Sequence, residues 1–366
     1  MATMAGPLSG IRVLEFASIG PGPFCAMLLS DLGADSVRID RPSGVAGTGP
    51  NAVLQRGRPS LVLDLKDANA VAFAARAAAA ADVLVEGNRP GVMERLGLGP
   101  EPLMTANPRL IYARMTGYGQ DGPLAKTAGH DINYLAQVGA LDLIGDEDRP
   151  PRPPLNLLGD FGGGALYLAL GIASALFERT TSGRGQIVDA AIVDGSASLM
   201  GMAHGAFATG SLARDPNANV LCGAAPFYRC YKCADGRYIA VGALEPQFYA
   251  SFLSAMEVES YARFAQRDPS FWPELSSVLE AKFAAKPLNA WLAALTPLDA
   301  CISPVLTVEE SLVHPHARAR AMFVDIGGVP HPAPAPRFSR TPGAIQRPAA
   351  KPGEGGLEAL RRWGVE

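Results

Sequence analysis

The first half of the chain alternates short apolar runs with segments of helical spacing. Ile11–Phe16 is one such run, followed by Gly20-Pro21-Gly22-Pro23 and a helical pattern through Leu32. Ser36–Asp40, Ser60–Leu65, Asp82–Glu86 and Leu110–Met115 repeat the theme, and Asp67 is placed to cap the helix after Leu65. Alternation of strand and helix predicts an α/β domain built on a mostly parallel sheet with helices on both faces. A polar, proline-rich loop is expected over 145–154, then a long helix over Phe161–Arg179 with Asp160 as its N-cap. Gly162, Gly163 and Gly164 open that helix. Each glycine weakens a helix by up to about 1 kcal/mol, so three together imply that something approaches the backbone closely. Gln186–Met202 reads as a strand running into a helix.

Beyond residue 204 the texture changes. The stretch 205–225 is rich in glycine, alanine and asparagine and reads as a linker that follows a first domain over 1–204. Phe227–Cys233 and Arg237–Val241 form a hairpin turning at Asp235-Gly236, and three helical patterns follow, Pro246–Met256, Trp272–Ala285 and Leu288–Leu295. This marks a second, smaller α+β domain over 226–305. A proline-rich linker is expected over 306–340, and 341–366 ends in a helix, Gly356–Trp363, that returns to the first domain.

Composition narrows the function. A chain of 366 residues, 48% hydrophobic, supports two cores. A net charge of -3 gives no electrostatic footprint for nucleic acid, so an anionic ligand must be met by a local basic cluster. The start of the chain has no basic and apolar leader, the alanine-rich run over 70–81 is too short and is broken by Arg76, and Gly364-Val365-Glu366 is no peroxisomal address. Together with an odd count of five cysteines, this predicts a soluble protein of the cytoplasm without membrane insertion. Cys230 and Cys233 have C-x-x-C spacing but lie on one arm of a hairpin with no second pair, so neither a metal nor a redox role is expected.

A parallel sheet collects its ligands outside the strand C-termini. Those ends read Asp40-Arg41-Pro42, Asp64-Leu65-Lys66, Gly87-Asn88-Arg89-Pro90 and Thr116-Gly117, and cations in the first three predict an anion site along one rim. The turn Gly20-Pro21-Gly22-Pro23 with Asp40 about twenty residues on is similar to a dinucleotide fingerprint. Pro21 and Pro23, however, lack the amide donors a pyrophosphate needs, and the third glycine is missing. Of the five histidines, His314, His316 and His331 fall in loops and His204 ends an apolar helix, where packing is expected. Only His130 lies between a glycine and an acid at the sheet rim. His130 and Asp160, set on either side of a substrate carbon, would move protons at neutral pH. With no serine elbow, phosphate loop or zinc spacing in the chain, nucleophilic catalysis would have to rest on Asp160.

The segments Gly6–Glu15 and Asp31–Asp35, the loop Asn88-Arg89-Pro90-Gly91 and the pair Gly159-Asp160 resemble the family III CoA-transferases over essentially the whole chain. Within that family, Gly129-His130-Asp131-Ile132-Asn133-Tyr134 resembles the racemase branch, which acts on 2-methylacyl-CoA thioesters; the transferase branch places an aromatic residue at the position of His130. The resemblance implies a Rossmann-like large domain made by both chain ends, a small central domain, and an interlocked homodimer. It implies an acyl-CoA substrate and no separate cofactor or metal, with CoA lying along Arg41, Leu63, Asp64, Leu65, Lys66, Gly87, Asn88, Arg89, Arg95 and Gly129, His130, Asp131, Ile132, Asn133 and Tyr134. His130 and Asp160 would be the two bases, and Glu245 would approach Asp160 across the dimer interface and raise its pKa. Asn88 departs from the aromatic residue common there. The alternatives are a CoA-transferase that uses Asp160 as nucleophile and leaves His130 idle, and a CoA-binding protein without catalysis.

Overall fold

The computed structural model describes residues 6–43, 52–144, 149–213, 215 and 218–366. Of the loop expected over 145–154, residues 145–148 lie outside the described residues, as does the start of the chain over 1–5.

The apolar runs form a six-stranded parallel sheet: β1 (Arg12–Phe16), β2 (Asp35–Asp40), β3 (Ser60–Val62), β4 (Val83–Glu86), β5 (Ile111–Thr116) and β6 (Ile187–Ala191). Their order is β3-β2-β1-β4-β5-β6. Neighbours along a strand point to opposite faces, and here both are buried. Leu14 and Leu84 enter a core with Ala74, Ala77 and Ala78 of the helix Ala68–Ala79 and with Leu360 and Trp363 at the chain end. Val13 and Val83 enter another with Cys25 and Leu29 of Pro21–Asp31 and Leu168 and Ile172 of Tyr167–Ser182. Asp67 caps Ala68–Ala79 by accepting the Asn69 N–H. The sheet also buries ion pairs that the apolar pattern concealed, among them Arg38–Asp40, Arg58–Glu15 and Arg114–Glu86.

Asp160 is not an N-cap. The helix starts three residues earlier and runs as one 26-residue segment over Leu157–Ser182, π-helical over Leu157–Leu166 and α-helical after it. The glycines explain the wide first turns. What approaches them is the helix Ile192–Leu199: a Cβ on Gly195 would lie 1.8 Å from the Gly163 carbonyl oxygen, and one on Gly163 would lie 2.4 Å from Ser196 Oγ. The two helices therefore meet backbone to backbone, which only glycine permits. By length and composition Leu157–Ser182 is apolar enough to cross a membrane. Leu168, Ile172 and Ala175 fill the core beside the sheet, whereas Leu166, Leu170 and Phe177 are exposed.

The chain divides into two compact units, the larger comprising Met1–Gly139, Pro153–Gly201 and Ala319–Glu366, the smaller Ala140–Arg152 and Met202–Arg318. The smaller has its own antiparallel sheet, β7 (Tyr228–Lys232), β8 (Tyr238–Gly242) and β9 (Ile302–Pro304), in that order. Its core joins Phe227, Tyr231 and Ile239 to Phe252, Trp272, Phe283 and Trp291 of the helices Pro246–Ala255, Trp272–Phe283 and Leu288–Leu295. The stretches expected as linkers carry more structure than their composition suggested. Gly201–Ala208 is helical, and His204 within it is exposed rather than packed. Beyond residue 306 lie the helices Val308–Val313 and Pro315–Ala319 and a hairpin of β10 (Phe323–Ile326) and β11 (Val329–Pro332). Gly327 and Gly328, both at positive φ, make its turn, and the prolines of β11 are tolerated in a sheet of two edge strands. His331 on β11 is buried and lies 3.4 Å from the Arg56 guanidinium, which is itself paired with Asp31.

Candidate active site

The strand order reverses between β1 and β4, since β2 and β3 lie to one side of β1 and β5 and β6 to the other side of β4. At such a switch point the loops after the two strands turn apart and leave a crevice at their C-terminal ends. A cleft of about 400 Å³ opens there, lined by Ser18–Pro21 after β1, Gly87–Pro90 after β4 and Met115–Tyr118 at the end of β5. Gly129, His130, Tyr134, Asp160 and Ile192 also line it, with Ala125, Thr127 and Ala128 beside them. The residue pair singled out by sequence thus lines one cavity.

His130 is exposed and stands in extended conformation (φ −133°, ψ 175°) immediately before the helix Asp131–Gln137. Asn133 fixes its backbone reciprocally: the His130 N–H donates to Asn133 Oδ1 at 3.1 Å, and the Asn133 N–H donates to the His130 carbonyl at 2.8 Å. Tyr134 supports the same segment through its hydroxyl, which donates to the Gly129 carbonyl at 2.5 Å. Its ring lies where a Cβ on Gly117 would come within 2.2 Å, and Tyr118 meets it edge-on at 5.0 Å. Burial pushes the Tyr134 phenol up to about 12, with the Asp160 charge adding to it, so the hydroxyl stays a donor. A Tyr134→Phe variant keeps the ring packing and loses one hydrogen bond worth about 1 kcal/mol. Steady-state kinetics are expected to show kcat reduced by roughly fivefold, the rate equivalent of that loosening.

Asp160 is half-buried and reaches across to the turn after β1, where a Cβ on Gly20 (φ +66°) would lie 3.1 Å from its Oδ2. Its carboxyl is held above the ordinary aspartate range, first by burial and then by the charge of Asp131; a hydrogen bond from the Asn156 side chain and the nearby His130 oppose this. Within the large unit the carboxylate that raises Asp160 is Asp131; Glu245 heads the helix Pro246–Ala255 in the smaller unit. The Asp160 N–H donates to Asp131 Oδ2 at 2.7 Å.

A second cavity of about 420 Å³ lies along the rim and is lined by Arg41, Leu63, Asp64, Leu65 and Lys66 together with Phe16, Ile39, Val92 and Leu96. Strand β3 ends at Val62, earlier than its apolar run, which frees Leu63–Lys66 to form this wall. Asn88 borders both cavities, and Arg41 Nη2 donates to its Oδ1 at 2.9 Å. The Asn88 loop is tied from below: its N–H donates to Glu86 at 2.7 Å, and Arg114 bridges Glu86 to Glu94. Arg95, Asp131, Ile132 and Asn133, all expected to touch substrate, line neither cavity. Arg95 is exposed at the end of the short helix Val92–Arg95, and Asp131 is buried behind the wall.

Sequence reasoning missed Ser18, Ile19 and Thr127 in the wall. For Ser18 a signal existed in the glycines around it: a Cβ on Gly22 or Gly87 would lie 2.4 or 2.9 Å from its Oγ, so both glycines clear space for it. Pro21 and Pro23 open the helix Pro21–Asp31 without amide hydrogens, in keeping with a wall rather than a phosphate cradle. Among the described residues no group of three His, Cys, Asp or Glu side chains is arranged to hold a metal ion.

The family model for CoA-transferase family III matches residues 8–356. The chain belongs to the family III CoA-transferases. Its relatives in the family include alpha-methylacyl-CoA racemase of Mus musculus, 49% identical over 98% of this chain and 93% of that protein. The alpha-methylacyl-CoA racemase of Homo sapiens is 44% identical over 92% of this chain and 87% of its own length. Among solved structures, a CaiB/BaiF family protein from Brucella suis superposes with a TM-score of 0.86 at 27% identity, covering 98% of this chain and 100% of that one. In this family III CoA-transferase chain the switch-point cleft is lined by both His130 and Asp160.

Proposed function

We propose that the protein is an isomerase that interconverts the R and S epimers of 2-methylacyl-CoA thioesters by 1,1-proton transfer at C2. The observation that carries this reading is the presence of His130 and an upshifted Asp160 in one cleft. Neutral His130 removes the α-proton of one epimer while protonated Asp160 supplies a proton to the other face; in the reverse direction the Asp160 carboxylate is the base and the His130 imidazolium the acid. Ordinary aspartate and histidine differ by about 2.6 pKa units, or roughly 3.5 kcal/mol, and both must titrate near working pH for the exchange to run both ways. Burial of Asp160 beside Asp131 works in the required direction. The CoA part of the substrate is assigned to the rim cavity of Arg41 and Leu63–Lys66, with the thioester entering the catalytic cleft past Asn88. The thioester itself acidifies C2, and the scheme uses no further cofactor.

A single epimer of a 2-methylacyl-CoA incubated in heavy water, followed by proton NMR at C2, tests the scheme. Loss of the α-proton signal together with appearance of the other epimer, with no acceptor acid present, is the expected result. An untouched C2 with transfer of CoA to an added carboxylate would instead assign Asp160 as a nucleophile.

The reading includes a homodimer. Leu170 and Phe177 are 63% and 78% exposed on the helix Tyr167–Ser182, an apolar face that a second copy is proposed to cover. Sedimentation equilibrium should give twice 38.2 kDa; a single-chain mass would remove the dimer from the reading.

A further inference from the structure

Asp131 lines neither cavity, yet it is hydrogen-bonded directly to the Asp160 backbone. It is buried at 7% exposure on the first turn of Asp131–Gln137, one residue from His130. Its Oδ2 accepts the Asp160 backbone N–H at 2.7 Å, and its Oδ1 is buried with no hydrogen-bond partner. The fit leaves no room for a larger neighbour, since a Cβ on Gly159 would lie 2.5 Å from Oδ2 and 2.8 Å from Cγ. A buried carboxylate with an unpaired oxygen is expensive to keep, and one hydrogen bond to a neutral amide offsets little of that cost. A neutral acceptor such as asparagine would hold the same amide without the charge. The charge therefore has another consequence, and Asp160 is an ionisable side chain on which it acts.

We propose that Asp131 is a positioning residue of the proton-transfer site, holding the Asp160 backbone in place and, through its charge, opposing loss of the Asp160 carboxyl proton. This rests on the racemase reading for its purpose, because a two-base site needs one partner loaded with a proton. The titratable groups around Asp160 are Asp131, His130 and Tyr134, all from the helix Asp131–Gln137 and its cap. The turn after β1 contributes Gly20, without a charge, and Asp194 on the helix Ile192–Leu199 is exposed and acts on Asp189. His130, when protonated, favours the charged Asp160; Asp131 is the one close carboxylate that opposes it.

Removing a negative charge beside Asp160 makes its deprotonated form easier to reach, so its titration midpoint falls and the limb of the pH–rate profile that Asp160 sets moves to lower pH. The test uses full-length protein with 13C-labelled aspartate carboxyls, in wild type and Asp131→Asn, with Asp160→Asn to assign the resonance. In wild type Asp160 should titrate above the ordinary value of about 3.9, and in Asp131→Asn its midpoint should fall, with the epimerisation profile shifted in parallel. An unchanged Asp160 midpoint in the variant, or an unshifted profile with only its height reduced, would leave Asp131 a structural hydrogen-bond acceptor and overturn the proposal. Should the variant not fold, an ordinary midpoint in wild type overturns it equally. The titration is read without substrate, so failure of the racemase reading would show in the heavy-water assay on wild type while the Asp160 midpoint stood.

Discussion

Asp160→Asn is expected to abolish epimerisation while leaving one epimer, and only one, able to exchange its α-proton with heavy water. His130 and Asp160 line the same cleft from different segments, His130 ahead of the helix Asp131–Gln137 and Asp160 in the first turns of Leu157–Ser182. With Asp160 neutralised, His130 still removes the proton that faces it and returns a deuteron to the same face. The product is labelled but not inverted. His130→Gln should give the mirror result, with exchange confined to the other epimer. Each variant loses the contribution of one general acid or base, so the epimerisation rate should fall by about 10²- to 10⁴-fold. Stereospecific exchange separates the schemes more sharply than loss of rate. A one-base enzyme would exchange both epimers or neither in each variant. A nucleophilic Asp160 would make His130→Gln indistinguishable from wild type in CoA transfer.

Much of this arrangement is legible in the sequence. The six strands follow from apolar runs whose adjacent residues are both buried, as Val13 and Leu14 are, and the basic rim follows from the rule that parallel sheets bind at their strand ends. His130 stood out because no other histidine lay at that rim. What stayed hidden depends on contacts far apart in sequence. Nothing local to Asp131 announces that its carboxylate reaches the amide of residue 160. The glycine run was correctly read as a close approach, but only the fold shows that Gly195 and Ser196 are what approach. Strand β9 has three residues and ends in proline, too short for a periodic signal. The helix Gly201–Ala208 is made of small and apolar residues with no polar face, so composition placed its second half, from residue 205, in a linker. Buried ion pairs are the hardest to foresee, because a lone charge in an apolar run reads as a strand edge.

One of those pairs leads to a large effect on stability. Arg58→Leu is expected to destabilise the protein by about 3–5 kcal/mol, the range for breaking a buried ion pair from one side. Arg58 and Glu15 are both fully buried and joined at 2.8 Å, and Glu15 Oε1 already lacks a partner, so removing the guanidinium strands an uncompensated carboxylate inside β1. Against a typical total of about 5–15 kcal/mol, that is a large share. A Glu15→Leu change added to Arg58→Leu removes the stranded charge and should recover part of the loss. Recovery should remain incomplete, because Arg58 also donates to the carbonyls of Leu54, Arg56 and Pro23. Urea denaturation followed by circular dichroism measures both variants; a single variant within about 1 kcal/mol of wild type would show that the pair is no strut. The bond to Pro23 connects this pair to function. Pro23 lies in the first turn of Pro21–Asp31, directly after the Gly20 that faces Asp160 Oδ2. Loss of Arg58 therefore frees one wall of the catalytic cleft, and the folded fraction of Arg58→Leu should turn over more slowly than wild type even below the denaturation midpoint.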